Sequence, residues 1–252
     1  MGSRTFLIGG GWDTAEVYEP FLDAAGDAPR IGCVILDEGD GAEQFARYEG
    51  ALRKAGDCTP VPLLAPLGGR FGPEAVAGVD GVLVCGGLTP AYQEAFAQCL
   101  EGLPQALAER GVPYAGFSAG AAVAARHAVV GGWLLDGVPV CPEDSAEDLE
   151  EIAVRPGLGL VPFGVDVHAA QWGTLPRLVA AVARGYVPYG VALDENTLVE
   201  VGDDGHARVS GLGRAHVVRP ADGSDSSDGS DGSDGQDVLV RSYGAGGTFP
   251  VR

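Results

Sequence analysis

The sequence is poor in cations. Its 252 residues hold 16 lysines and arginines against 35 aspartates and glutamates, a formal net charge of −19. That imbalance excludes the electrostatic attraction on which nucleic-acid and anionic-membrane binding depend. The acidity reads as a property of the whole surface rather than as the mark of a basic substrate. Cysteine is sparse too. The five, Cys33, Cys58, Cys85, Cys99 and Cys141, are odd in number, far apart and in no metal-ligand spacing, which excludes a disulfide framework and a zinc knuckle and leaves reduced core thiols. No apolar stretch reaches membrane-spanning length. The chain enters Thr5-Phe6-Leu7-Ile8 without a charged region, a signal-length apolar core or a cleavage site, so a cytoplasmic protein is expected. Histidine numbers only four, which keeps the list of acid–base candidates short.

What is present is enough apolar residue, 46%, for a substantial core. Short β-rich runs alternate with helix-like segments through the first two-thirds, the pattern of a mostly parallel central α/β sheet with helices on both faces. Strands are predicted over 5–8, 31–36, 61–64, 81–85 and 113–117, and helices over 15–25, 42–55, 92–109 (with a break near Pro104) and 119–127. Later, 133–140 and 160–168 read as extended and 175–183 as helical. A short β-rich C-terminal part follows, with strands over 191–193, 198–201, 207–209, 216–219 and 238–243. One α/β domain over 1–220 is therefore expected, with 238–252 returning to it. The Gly-Ser-Asp repeats within 221–237 have no apolar anchor and read as a disordered loop, not as a calcium loop, because the bidentate glutamate is missing.

Gly116-Phe117-Ser118-Ala119-Gly120 closes an apolar run and opens a small-residue run, the pattern of a strand that turns sharply into a helix. Such a turn pushes its central side chain out of the sheet edge, and the helix N-terminus favours the negative charge of acyl transfer. Ser118 stands there as a candidate nucleophile. The plainer alternative is a serine that caps the next helix. A serine hydroxyl needs a base held by a third group. His127 falls too far along the predicted helix, His206 lies in a polar turn and His216 in a short strand. His168, at the end of an extended run, is the candidate base, and Asp194 or Glu195, after the apolar run 191–193, is the candidate orienting acid. Gly86-Gly87 follows a strand, so the amide of Gly87 or Leu88 with that of Ala119 can form an oxyanion hole. Gly9-Gly10-Gly11 is not a dinucleotide loop, because Thr14 replaces the last glycine that fingerprint needs.

Taken in order, Leu7-Ile8-Gly9-Gly10-Gly11, Cys85-Gly86-Gly87, Gly116-Phe117-Ser118-Ala119-Gly120-Ala121, Asp166-Val167-His168 and Leu193-Asp194-Glu195-Asn196-Thr197 resemble the motifs of the cyanophycinase and aspartyl dipeptidase serine peptidases. The resemblance covers residues 5 to about 201. It implies a class I glutamine-amidotransferase-like fold, a Ser118–His168–Glu195 triad, and neither metal nor cofactor. Serine at the elbow, where the amidotransferases use cysteine, implies hydrolysis. The chain departs from the family after His168, where Ala169-Ala170-Gln171-Trp172-Gly173-Thr174-Leu175-Pro176-Arg177-Leu178 keeps only the final Arg-Leu. In the family a glutamine follows the Gly-Gly turn almost at once, whereas here five residues intervene before Gln93. Gln93 and Arg177 are the remaining substrate-contact candidates, Arg177 for a substrate carboxylate, against the plainer expectation of a solvated helix arginine.

The expectation is a serine peptidase acting on small peptides or isopeptide-like amides. A small peptide and, at most, a second copy of the chain are its expected partners. Two readings compete. One is an α/β-hydrolase esterase that pairs Asp194 or Glu195 with His216, and the other is an amino-acid or peptide-binding protein on the same fold.

Overall fold

The computed structural model describes residues 4–221 and 236–251. Five strands come first in the chain: β1 (Thr5–Ile8), β2 (Arg30–Asp37), β3 (Thr59–Pro66), β4 (Gly81–Val84) and β5 (Tyr114–Phe117). They pair in parallel in the order β1-β5-β4-β2-β3. Helices α1 (Glu19–Ala25), α2 (Gly41–Ala55), α3 (Thr89–Phe96), α4 (Gly102–Arg110) and α5 (Ala119–Val123) link or follow them. All of these strands except β3, at the sheet edge, bury both faces. Phe6, Ile8, Ile31, Cys33, Ile35, Leu83 and Phe117 pack with Phe21, Tyr48 and Leu52 of α1 and α2. The alternate residues Leu7, Val34, Leu36, Val82, Val84 and Tyr114 pack with Tyr92, Phe96, Leu103 and Leu107 of α3 and α4. This period-two switch between two cores is why the runs are near-continuously apolar, each buried side chain contributing about 1.5–3 kcal/mol.

Between the halves run β6 (His127–Gly131), the small hairpin β7 (Leu134–Leu135) and β8 (Val138–Pro139), and β9 (Ala153–Pro156). Then come β10 (Gly164–Asp166), α6 (Leu175–Ala183), β11 (Gly190–Leu193), β12 (Thr197–Val201), β13 (His206–Gly211), β14 (Ala215–Pro220), β15 (Val238–Tyr243) and β16 (Thr248–Pro250). β12, β13 and β16 extend the first sheet antiparallel from β1. A second sheet, in the order β10-β11-β14-β15, is covered by α6 through Leu178, Ala181 and Val182. The C-terminal strands thus return to both sheets. Ala221 and Asp237 are joined by a backbone hydrogen bond at 2.9 Å, and the rest of the expected Gly-Ser-Asp loop, 222–235, lies outside the described residues.

Two elements, the helix after Ser118 and the extended run 160–168, differ from expectation. The helix after Ser118 has five residues, not nine. The segment 157–161 donates its amides to the carbonyls of Val123, Ala124, Ala125 and Arg126, acceptors that a longer helix would have used, and His127 instead opens β6. The break expected near Pro104 is present, between Phe96 and Gly102, with Pro104 in the first turn of α4, where no intrahelical amide donor is needed. Within 160–168 only Gly164–Asp166 is strand. All five cysteines are free, four of them buried. Among the described residues no helix is long and apolar enough to cross a membrane.

Candidate active site

The C-terminal ends of β1, β5, β10 and β11 converge, as the ends of parallel strands do where ligands bind. Ser118 follows β5 directly, with φ +52° and ψ −114°, a conformation that costs a non-glycine residue on the order of 1–3 kcal/mol. Close packing enforces it. A Cβ on Gly116 would stand 2.3 Å from the Gly120 carbonyl oxygen, and one on Gly120 would stand 2.1 Å from that of Val84. The Ser118 side chain does not cap α5, which excludes the plainer alternative. It bonds instead to His168 Nε2 at 2.8 Å.

His168 follows β10 by two residues, also at positive φ (+56°), and its Nδ1 lies 2.7 Å from Glu195 Oε1. A carboxylate only accepts, so Nδ1 carries the proton and the Nε2 lone pair faces the serine hydroxyl. Burial lowers the pKa of His168 below the ordinary histidine value, while Glu195 and Asp166 pull it upward and Arg177 downward. The ring is held on both faces. Trp172 stacks on one at 3.8 Å and 8°, and Gly10 lies against the other, where a Cβ would come within 2.2 Å of His168 Cε1. Gln171 Oε1 accepts from the Glu195 amide at 2.9 Å. Asn196, the next residue, accepts from the Asp13 amide and donates to the Asp13 carboxylate, at 2.9 and 3.0 Å, beside Gly11. The triple glycine after β1 therefore serves close approach of His168 and of the 194–197 turn, a purpose unrelated to a dinucleotide.

Asp194 points away from His168. It accepts from the amides of Ala170 and Arg214 and pairs with His216 Nε2 at 3.1 Å, while His216 Nδ1 bonds the Ser242 hydroxyl at 2.7 Å. Both nitrogens of His216 are thus engaged away from Ser118, which removes the geometry that the esterase alternative requires. His206 is exposed.

Two of the expected substrate contacts lie elsewhere. Arg177 is buried, neither solvated nor facing a ligand. Its Nε and Nη2 donate to both carboxylate oxygens of Asp166 at 2.9 and 2.7 Å, and Nη1 donates to the carbonyls of Gly132 and Ser145. It braces the end of β10 against the 132–145 segment. Gln93 Nε2 donates to the Pro156 carbonyl at 3.0 Å and anchors β9, because the five-residue insertion places it inside α3. Gly87 and Leu88 do line the cavity with Ser118, whereas the Gly86 amide is taken by the Tyr48 hydroxyl at 2.7 Å.

That cavity, of about 740 Å³, has an acidic wall: Glu38, Glu143, Asp144, Glu147, Asp148 and Glu150. Glu147 and Asp148 both adopt positive φ, and Glu147 accepts from the Thr89 amide at the start of α3, at 2.9 Å. Burial raises the Glu147 pKa, and that bond opposes the rise. Six acidic residues thus line the cavity that Ser118 shares, where the sequence had suggested only a general surface property. The run 143–151, dense in acidic residues, was the signal, as Trp172 in the altered segment was for the stacking partner.

No protein-family model matches the chain. It is 29% identical over 228 residues to a cyanophycinase of Trichormus variabilis, an alignment covering 87% of this chain and 68% of that protein. Its fold is similar to that of a peptidase from an acI-B1 Actinobacterium, with a TM-score of 0.69 and 15% identity over 99% of this chain and 97% of that one. A putative peptidase E protein from Listeria monocytogenes EGD-e superimposes with a TM-score of 0.56 and 14% identity, over 84% of this chain and 100% of its own.

Proposed function

We propose that this chain, similar to cyanophycinases in sequence and to peptidases in fold, is a member of the cyanophycinase and peptidase E-like family and hydrolyses short peptides through Ser118, His168 and Glu195. The observation that carries the proposal is the unbroken chain of contacts from the Ser118 hydroxyl to His168 Nε2 at 2.8 Å and from His168 Nδ1 to Glu195 at 2.7 Å. Both distances lie within reach for proton transfer. Ser118 attacks the scissile carbonyl carbon as His168 takes its proton, Glu195 holds the tautomer, and the imidazolium then gives that proton to the leaving amine. Water enters by the same base and releases the acid product. The amides of Ala119 and of Gly87 or Leu88 bind the oxyanion, each worth about 3 kcal/mol.

The acidic wall selects the acyl side of the substrate. Six carboxylates around one cavity attract a cation and oppose an acidic residue, so a basic residue or a free ammonium belongs there. The test is cleavage of Lys-Ala, Arg-Ala, Asp-Ala and β-Asp-Ala, followed by mass spectrometry, with the wild type and Ser118→Ala. Faster turnover of the basic peptides, falling by about 10⁶-fold in the variant, is expected. Equal turnover by Ser118→Ala, or preference for Asp-Ala, would sink the proposal.

A further inference from the structure

Ser118 also opens on a second hollow, of about 260 Å³, whose walls include Trp12, Gln44, Arg47, Tyr48 and His168. His168 does not line the acid-walled cavity. The peptidase reading, on which this inference rests, requires His168 to protonate the leaving amine, so the leaving residue must lie on the His168 side of the serine. Arg47, from α2, is the cation of that side. Its guanidinium lies 4.4 Å from the centroid of the Trp12 ring, and Trp12 packs in turn on Tyr48 and Phe117 at 5.0 and 4.9 Å. Among the described residues Arg47 has no carboxylate within salt-bridge distance. Asp40, which shares the hollow, is bonded by Gln44 Nε2 at 3.1 and 3.2 Å. A guanidinium held over an indole face still has N–H groups to offer, and these match a carboxylate bidentately.

We propose that Arg47, set on Trp12, forms a subsite for the free C-terminal carboxylate of the leaving residue, which makes the enzyme selective for dipeptides. The substrate then spans two opposite charges: its ammonium or basic side chain enters the acidic cavity, and its carboxylate meets Arg47. A chain that continues past the leaving residue, or ends in an amide, presents no anion there.

Calorimetry on the Ser118→Ala protein with Lys-Ala and its C-terminal amide tests this without turnover. The amide carries one more net positive charge, which a protein of net charge −19 would favour in the absence of a local anion site. The free acid is nevertheless expected to bind about tenfold more tightly. Adding Arg47→Gln should abolish that preference while changing amide binding by less than about twofold, and Arg47→Lys should keep part of it. Equal binding of acid and amide, a preference that survives Arg47→Gln, equal weakening of both probes, or no binding of either at millimolar concentration would each overturn the subsite. A preserved acid preference alongside Ser118-independent cleavage by the active protein would instead overturn the peptidase reading and leave the subsite standing.

Discussion

Gly10→Ala should disable the site without replacing any of the three residues proposed to perform the chemistry. The added methyl would stand 2.2 Å from His168 Cε1. Carbon atoms rest at about 3.5 Å or more, so the ring must retreat by about 1.3 Å. It cannot retreat directly, because Trp172 is stacked 3.8 Å behind it. It must swing out of line with Ser118, and a displacement of about 1 Å at a catalytic group costs on the order of 10²-fold in rate. Backbone strain is a separate cost, since Gly10 has φ +102°. Gly26→Ala supplies the control, with φ +104° and nothing within 4 Å of the new methyl. Backbone strain should cost both variants about 1–3 kcal/mol, with the clash at His168 an added loss in Gly10→Ala alone. Only Gly10→Ala should lose activity, read as kcat against a basic dipeptide with folding checked by circular dichroism. Activity within about twofold of wild type in a folded Gly10→Ala protein would refute the sandwiched histidine as the base.

The proposed mechanism needs neutral His168, and burial holds its pKa below the usual value, so the acidic limb of the kcat/KM profile should lie below the ordinary histidine range. Glu195→Gln removes an interaction that raises that pKa, so the limb should move to still lower pH while kcat falls on the order of 10⁴-fold. Arg177→Met leaves Asp166 charged and buried without its partner, and should lower stability by about 3–5 kcal/mol, seen as a Tm lower by roughly 10 °C. Raising ionic strength from about 0.01 to 1 M shrinks the Debye length from about 30 to 3 Å, so KM for Lys-Ala should rise with salt, and an unchanged KM would count against the acidic wall as the selector.

The parallel sheet was legible because each of its strands is apolar on both sides and bounded by turn residues. β1 coincides with its predicted limits for that reason, and α6 does so because its apolar residues recur at helical spacing. The five-residue helix after Ser118 was not legible, since the alanine run 119–125 reads as helical and only the distant segment 157–161 diverts its carbonyls. β6, β9 and β16 were missed because each is short or broken by proline, glycine or charge, and tertiary pairing supplies what local propensity lacks. In the site, Ser118, His168 and the 194–195 turn were readable as polar residues at the ends of apolar runs. The choice between Asp194 and Glu195 was not, because adjacent carboxylates differ only in which way the turn aims them: Asp194 to His216 and Glu195 to His168. Arg177 misled because it stands in the first turn of α6 beside exposed Pro176, while its partner Asp166 lies 11 residues earlier, at the end of β10.

The most direct measurement of serine activation is the intact-protein and peptide mass after treatment with a fluorophosphonate, a probe that labels only serines made nucleophilic by an adjacent base. One adduct per chain, on Ser118, lost in His168→Ala and in Gly10→Ala, is the predicted result. An unlabelled protein, or a label on Ser118 that persists without His168, would contradict the pairing of these two residues.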